Sequence, residues 1–118
     1  MCRFFIFFLF VNSSFCQTQI ELNEKAKRQY DSVFKELNIL QNKILILNKN
    51  NKKIQDKIIS SHKIWLERRD SYMNAKYPLN ERNDYGTYFP VRWYNELIIL
   101  TKKRISYLEE NYKIIFKP

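Results

Sequence analysis

Tyr30-Asp31-Ser32-Val33-Phe34-Lys35-Glu36-Leu37-Asn38-Ile39-Leu40-Gln41-Asn42-Lys43-Ile44-Leu45-Ile46-Leu47 is the stretch that decides the fold. Its apolar positions Tyr30, Val33, Phe34, Leu37, Leu40, Ile44 and Leu47 follow one another in steps of 3, 1, 3, 3, 4 and 3. That repeat marks one face of a helix, close to a heptad seam. Ile20 and Ala26 place the start of the stripe near Gln19. Ile39, Leu45 and Ile46 widen it, so this helix should touch more than one neighbour.

Outward from this stripe, Asn48-Lys49-Asn50-Asn51-Lys52-Lys53 strings together poor helix formers and like charges, and reads as a short connection. A second stripe follows through Ile54, Ile58, Ser61, Trp65, Arg69, Tyr72, Met73 and Tyr77. Pro78 disfavours helical geometry at Tyr77 and ends it. Residues 78–90 hold the only Gly and two of the three Pro, and are expected to form an irregular aromatic loop. Pro90 suits the first turn of a helix. The third stripe is Val91, Tyr94, Leu97, Ile98, Thr101, Arg104, Ile105, Leu108, Tyr112 and Ile115. The expectation is an all-α fold: an elongated, antiparallel, up-down-up three-helix bundle, with each rod about 35–45 Å long.

Composition narrows the function classes. The 118 residues carry 21 Lys and Arg against 12 Asp and Glu, for a formal charge of +9, with one Gly, one His and two Cys. A single Gly leaves no material for a phosphate-cradling loop or a dinucleotide fingerprint. One His and two Cys build neither a zinc-finger type site nor a disulfide framework. The expectation is therefore a non-catalytic module with no metal and no cofactor. His62 stands alone on the second helix, and nothing marks Asp56 and Asp70 as a catalytic pair rather than helix-surface groups.

The N-terminus reads as a separate unit. Arg3 precedes the apolar run Phe4-Phe5-Ile6-Phe7-Phe8-Leu9-Phe10-Val11, which gives way to Asn12-Ser13-Ser14-Phe15-Cys16-Gln17. The run is too short to span a bilayer and has the layout of a secretory signal peptide. Ser14 and Cys16 fit the small positions before cleavage, so residues 1–16 are expected to be the leader and 17–118 a single helical domain. Removing Arg3 with the leader lowers the charge from +9 to +8, and both cysteines leave. The destination is periplasmic or extracellular. The alternative is a lipoprotein held through Cys16, against which the bulky Phe15 argues.

Arg69, Thr101 and Arg104 fall where a helix stripe calls for hydrophobes, with Asp70 beside Arg69. Buried cations need partners. Trp65, Arg69, Asp70, Thr101 and Arg104 are expected to form a structural polar layer that fixes helix register. Arg104 would pair with Asp70 or lie over Trp65. The competing reading makes these groups the lining of a partner-binding cleft.

These residues also carry a resemblance. Ser61-His62-Lys63-Ile64-Trp65-Leu66-Glu67-Arg68-Arg69-Asp70 resembles a Gln-x-x-Trp-x-x-x-Arg-Asp signature. Leu22-Asn23 with Tyr30 and Leu37, and Leu100-Thr101-Lys102-Lys103-Arg104 with Leu108, are similar to the opening and closing patterns of the same family. The family is the secreted lysozyme-inhibitor LprI-like group, and the resemblance runs in order through most of residues 20–110. It implies a small helical envelope domain that binds a partner protein, a subset of the family being muramidase inhibitors. It further implies a cysteine staple between the second and third helices. Here Tyr72-Met73 and Tyr94-Asn95-Glu96 occupy those neighbourhoods.

Two partner classes follow. A lysozyme or another envelope protein would meet Tyr77, Tyr85, Tyr88, Phe89, Arg92, Trp93 and Tyr94, residue types enriched at interface hot spots. The same rings could instead cap the open end of the core. A charge of +8 repels basic lysozymes at long range, unless Glu81 and Asp84 supply a local acidic patch. The second class is an anionic envelope surface of lipid phosphate, lipopolysaccharide or glycan. It would engage Lys43, Lys49, Lys52, Lys53, Lys57 and Lys63, with Lys102, Lys103 and Arg104 as a second patch. Export argues against nucleic acid, and long apolar seams would also suit a structural oligomer.

Overall fold

The computed structural model describes the backbone of residues 2–112 and the side chains of residues 18–112. The chain runs as α1 (Cys2–Leu47), α2 (Lys52–Lys76), a 3-10 segment (Leu79–Tyr88) and α3 (Phe89–Tyr112), with no strand among the described residues. The all-α expectation holds. The first helix does not start near Gln19 but runs back through the apolar N-terminus to Cys2, giving 46 residues in one rod. The expected leader and the first rod thus share one backbone helix. The side chains of Phe4–Val11 and Cys16, and the last stripe residue Ile115, lie outside the described residues.

Each boundary has a local cause. At the end of α1, Asn48 Nδ2 donates to the Ile44 carbonyl at 2.8 Å, and Gln55 Nε2 reaches the Leu45 carbonyl at 3.3 Å. These bonds satisfy carbonyls that the last turn leaves open. Asn51 caps α2, its side-chain oxygen accepting from the Ile54 amide at 3.2 Å. Pro78, at φ −58° and ψ 146°, ends α2. Residues 79–88 are not irregular, as the Pro and Gly content suggested, but wind into 3-10 turns broken at Gly86. Gly86 sits at φ 63° and ψ −148° with open space where a Cβ would stand, so glycine is required there by the backbone alone.

Contacts fix the helix directions. Tyr30 of α1 meets Arg69 of α2, and Leu45 meets Gln55, so these two rods run antiparallel. Ser61 with Arg104 and Tyr72 with Glu96 make α2 and α3 antiparallel as well. Gln19 with Thr87 and Tyr30 with Tyr94 make α1 and α3 parallel. The result is up-down-up, in an elongated body of 76 × 34 × 17 Å. The backbones of α1 and α3 approach most closely, and α2 stands further off.

The core has two parts. Toward the α1–α2 turn, Leu37, Leu40, Ile44, Ile58 and Leu108 are fully buried, flanked by Phe34, Trp65 and Ile105. Toward the 3-10 segment, Met73, Tyr77 and Leu97 are buried among Tyr30, Tyr85, Phe89, Trp93 and Tyr94. Thr101 is fully buried, because its hydroxyl donates to the Leu97 carbonyl at 2.7 Å and needs no partner elsewhere.

Candidate functional site

The polar layer resolves into separate clamps between helices. Arg69 extends from α2 toward α1 and donates from Nη1 to the Tyr30 hydroxyl at 2.9 Å. Its guanidinium lies 5.7 Å from the Phe34 ring centroid and 5.5 Å from that of Trp65. Nε and Nη2 fork onto Asp70 Oδ1 at 3.1 and 3.0 Å. Asp70 is a solvated carboxylate with 62% of its side chain exposed, while Arg69 is 14% exposed. Burial raises the Tyr30 hydroxyl above its ordinary pKa, and the Arg69 cation partly offsets this.

Arg104 departs from both expected contacts. It neither pairs with Asp70 nor covers Trp65. The reason is direction: Arg69 occupies Trp65 from the α1 side, while Arg104 enters from α3. Arg104 Nη2 donates to Ser61 Oγ at 2.8 Å, and its guanidinium lies 5.2 Å from the Tyr107 centroid. It is 7% exposed, and no carboxylate pairs with it among the described residues. Burial lowers its pKa. His62 packs on Trp65 at 6.0 Å, and its pKa is lowered first by burial, then by the Arg104 and Arg69 cations. Gln41 Oε1, His62 Nδ1 and Arg104 Nε are buried without a protein hydrogen bond.

A further clamp went unread in the sequence. At the neighbourhoods where the family resemblance implies a staple, Tyr72 donates its hydroxyl to Glu96 Oε1 at 2.9 Å, and Lys76 Nζ meets Glu96 Oε2 at 3.0 Å. Met73 and Leu97 pack in one buried cluster beside them. A polar and apolar suture thus joins α2 to α3. Lys76 holds the Glu96 carboxyl below its ordinary pKa. A depressed folded-state pKa contributes stability above the unfolded value near 4.5, which is lost as pH falls through the folded value. Glu96→Gln is therefore expected to lower Tm at pH 7, with the difference from the parent shrinking as pH falls below 4.5 in parallel thermal melts.

The aromatic residues divide into two sets. Tyr77 is 5% exposed and is the hub of the loop-end cluster, with ring centroids of Tyr85, Phe89 and Trp93 at 5.2, 5.7 and 6.1 Å. Tyr94 packs on Tyr30 at 5.9 Å. Arg82, which the sequence did not single out, fastens the cluster. Its Nε donates to the Tyr77 carbonyl at 2.9 Å, and its guanidinium lies 4.8 Å from the Trp93 centroid. Tyr77 is thus buried in this cluster, with Tyr85, Phe89, Trp93 and Tyr94 packed half-buried against it. Tyr88, at 56% exposure, and Arg92 remain on the outside, joined by Leu79 at 79% exposure. Between the 3-10 segment and α1 lies an open cavity of about 550 Å³ bordered by Ile20, Asn23, Arg82, Asn83 and Phe89.

Charge is also redistributed relative to the expected patches. Lys102 and Lys103 are exposed, but Arg104 turns inward and adds nothing to their surface. Lys43, Lys49, Lys52, Lys53, Lys57 and Lys63 are exposed around the α1–α2 turn. Among the described residues no group of three or more His, Cys, Asp or Glu could hold a metal ion. No helix among them is long and apolar enough to cross a membrane.

A three-helix body whose inward polar side chains bind helix to helix, and whose exposed aromatic, Leu and Arg groups sit at one end, defines a small helical binding module. Residues 12–108 match the family described as lysozyme inhibitor LprI, and the chain belongs to that family. The signature residues Trp65, Arg69, Asp70, Thr101 and Arg104 all lie within the match. No curated protein and no solved structure matches the chain.

Proposed function

We propose that the chain is an exported, non-catalytic binding protein that docks on a muramidase through the loop end of its bundle. The observation that carries this reading, beside family membership, is the outer face of the 3-10 segment and the start of α3. Leu79 and Tyr88 are exposed on this segment and Arg92 on the first turn of α3, next in the chain to the packed rings of Tyr77, Tyr85, Phe89 and Trp93. Arg92 also lies over Tyr85 at 5.6 Å, which fixes its direction. Glu81 and Asp84 are exposed on the same segment. They temper an otherwise basic surface at the point where a basic lysozyme would approach.

The test is muramidase turnover on cell-wall substrate with the purified chain added. Saturable inhibition at micromolar concentration is expected for at least one lysozyme type. Tyr88→Ala with Arg92→Ala should weaken it about tenfold or more at unchanged Tm, as for paired hot-spot residues. No inhibition of any of several lysozyme types would end the proposal. Export has its own readout: the intact mass of the protein recovered from its host should begin at Gln17. A diacylglyceryl adduct on Cys16 would instead make it a lipoprotein.

A further inference from the structure

The closest pair of rods, α1 and α3, leaves an outward groove of about 540 Å³ that the loop-end docking surface does not use. Its cations are Lys25 and Arg28 on α1 and Lys102 on α3. They come together because 25 and 28 share a helix face and α3 runs parallel to α1 beside it. Among the described residues, Arg28 is the one of these cations that forms an ion pair, with Glu24 at 3.8 Å, and both side chains are more than 60% exposed. Such a pair is weakly held and open to competition. Between the cations stand Gln29, Ser32 and Asn95, each able to donate and accept. Val33 and Ile98 form an apolar floor. Lys102 also borders a second depression with Ile99, Lys103, Ser106, Tyr107 and the carboxylate of Glu110. Tyr107 is 49% exposed, and the buried Arg104 guanidinium lies against its ring.

We propose that this groove binds an acidic oligosaccharide. The cations suit carboxylate, sulfate or phosphate substituents. The interleaved amides and hydroxyl suit sugar hydroxyls, which a bare ion does not offer. Beyond Lys102, which borders both hollows, the half-exposed Tyr107 of the second depression gives a flat platform for the apolar face of a pyranose ring. The volume falls within the usual range of small-ligand sites. This assignment is independent of muramidase inhibition, since it uses a different face of the bundle and a different class of ligand.

The experiment is titration calorimetry on the full chain with tetragalacturonate, beside neutral maltotetraose and inorganic phosphate. The acidic tetrasaccharide is expected to bind, more weakly at 0.5 M salt than at about 0.15 M. Maltotetraose and phosphate should show at least tenfold weaker binding. Lys25→Gln with Lys102→Gln should weaken tetragalacturonate about tenfold, and Tyr107→Ala should weaken it without any change in net charge. Lys52→Gln with Lys53→Gln removes the same charge at the α1–α2 turn and should leave binding intact. Equal loss in both lysine pairs, phosphate competing as well as the tetrasaccharide, or no binding at millimolar concentration would each overturn the proposal.

Discussion

Arg69→Ala is expected to lower the unfolding free energy by about 2–4 kcal/mol, a Tm loss on the order of 10–20 °C for a domain of this size. The side chain is 14% exposed, bonds Tyr30 across the α1–α2 seam and fills the space between Phe34 and Trp65. Its removal takes away a charge-assisted hydrogen bond, two cation–π contacts and the packing of its stem. Asp70→Ala should cost less than about 0.5 kcal/mol, because that carboxylate is 62% exposed and its ion pair is screened by water. Arg69→Lys should fall between the two, since an ammonium neither forks nor stacks. Denaturant unfolding of the three variants is the check. An Asp70→Ala loss equal to that of Arg69→Ala would make the ion pair, not the packing, the driving term.

Leu40→Ala is expected to cost more, about 3–5 kcal/mol. Leu40 is fully buried among Leu37, Ile44, Ile58 and Leu108, where all three helices meet. Its neighbour Ile39 is 45% exposed, and Ile39→Ala should change stability by less than about 1 kcal/mol. Similar losses at the two positions, measured by chemical denaturation, would place the seam on the wrong face of α1.

The apolar stripes carried most of the fold. Leu37, Leu40 and Ile44 were legible because a helix period and burial select the same positions, and Pro78 marked a true end. The start of α1 was not legible, because an apolar run and an amphipathic rod both favour helix and neither Gly nor Pro stands between them. The 3-10 turns escaped for the opposite reason: Pro and Gly signal a departure from α geometry without saying which.

The polar layer was visible as charges on an apolar face, but not its pairing. Arg69 and Arg104 look alike in sequence, yet one reaches toward α1 and the other toward α2, a choice made by helix rotation. Arg82 left no signal at all, since its role depends on 3-10 turns that carry it back over Trp93. Tyr88 and Arg92 could be told from Tyr77 and Trp93 only once the loop end had closed.

The near approach of α1 to α3 has a consequence for how the molecule assembles. Its tightest seam joins the first rod to the last, so neither helical hairpin contains it, and a nascent chain must finish α3 before that seam can form. A cut in the 3-10 segment would leave α1 and α2 on one fragment and α3 on the other, so that seam would then have to form between two separate chains.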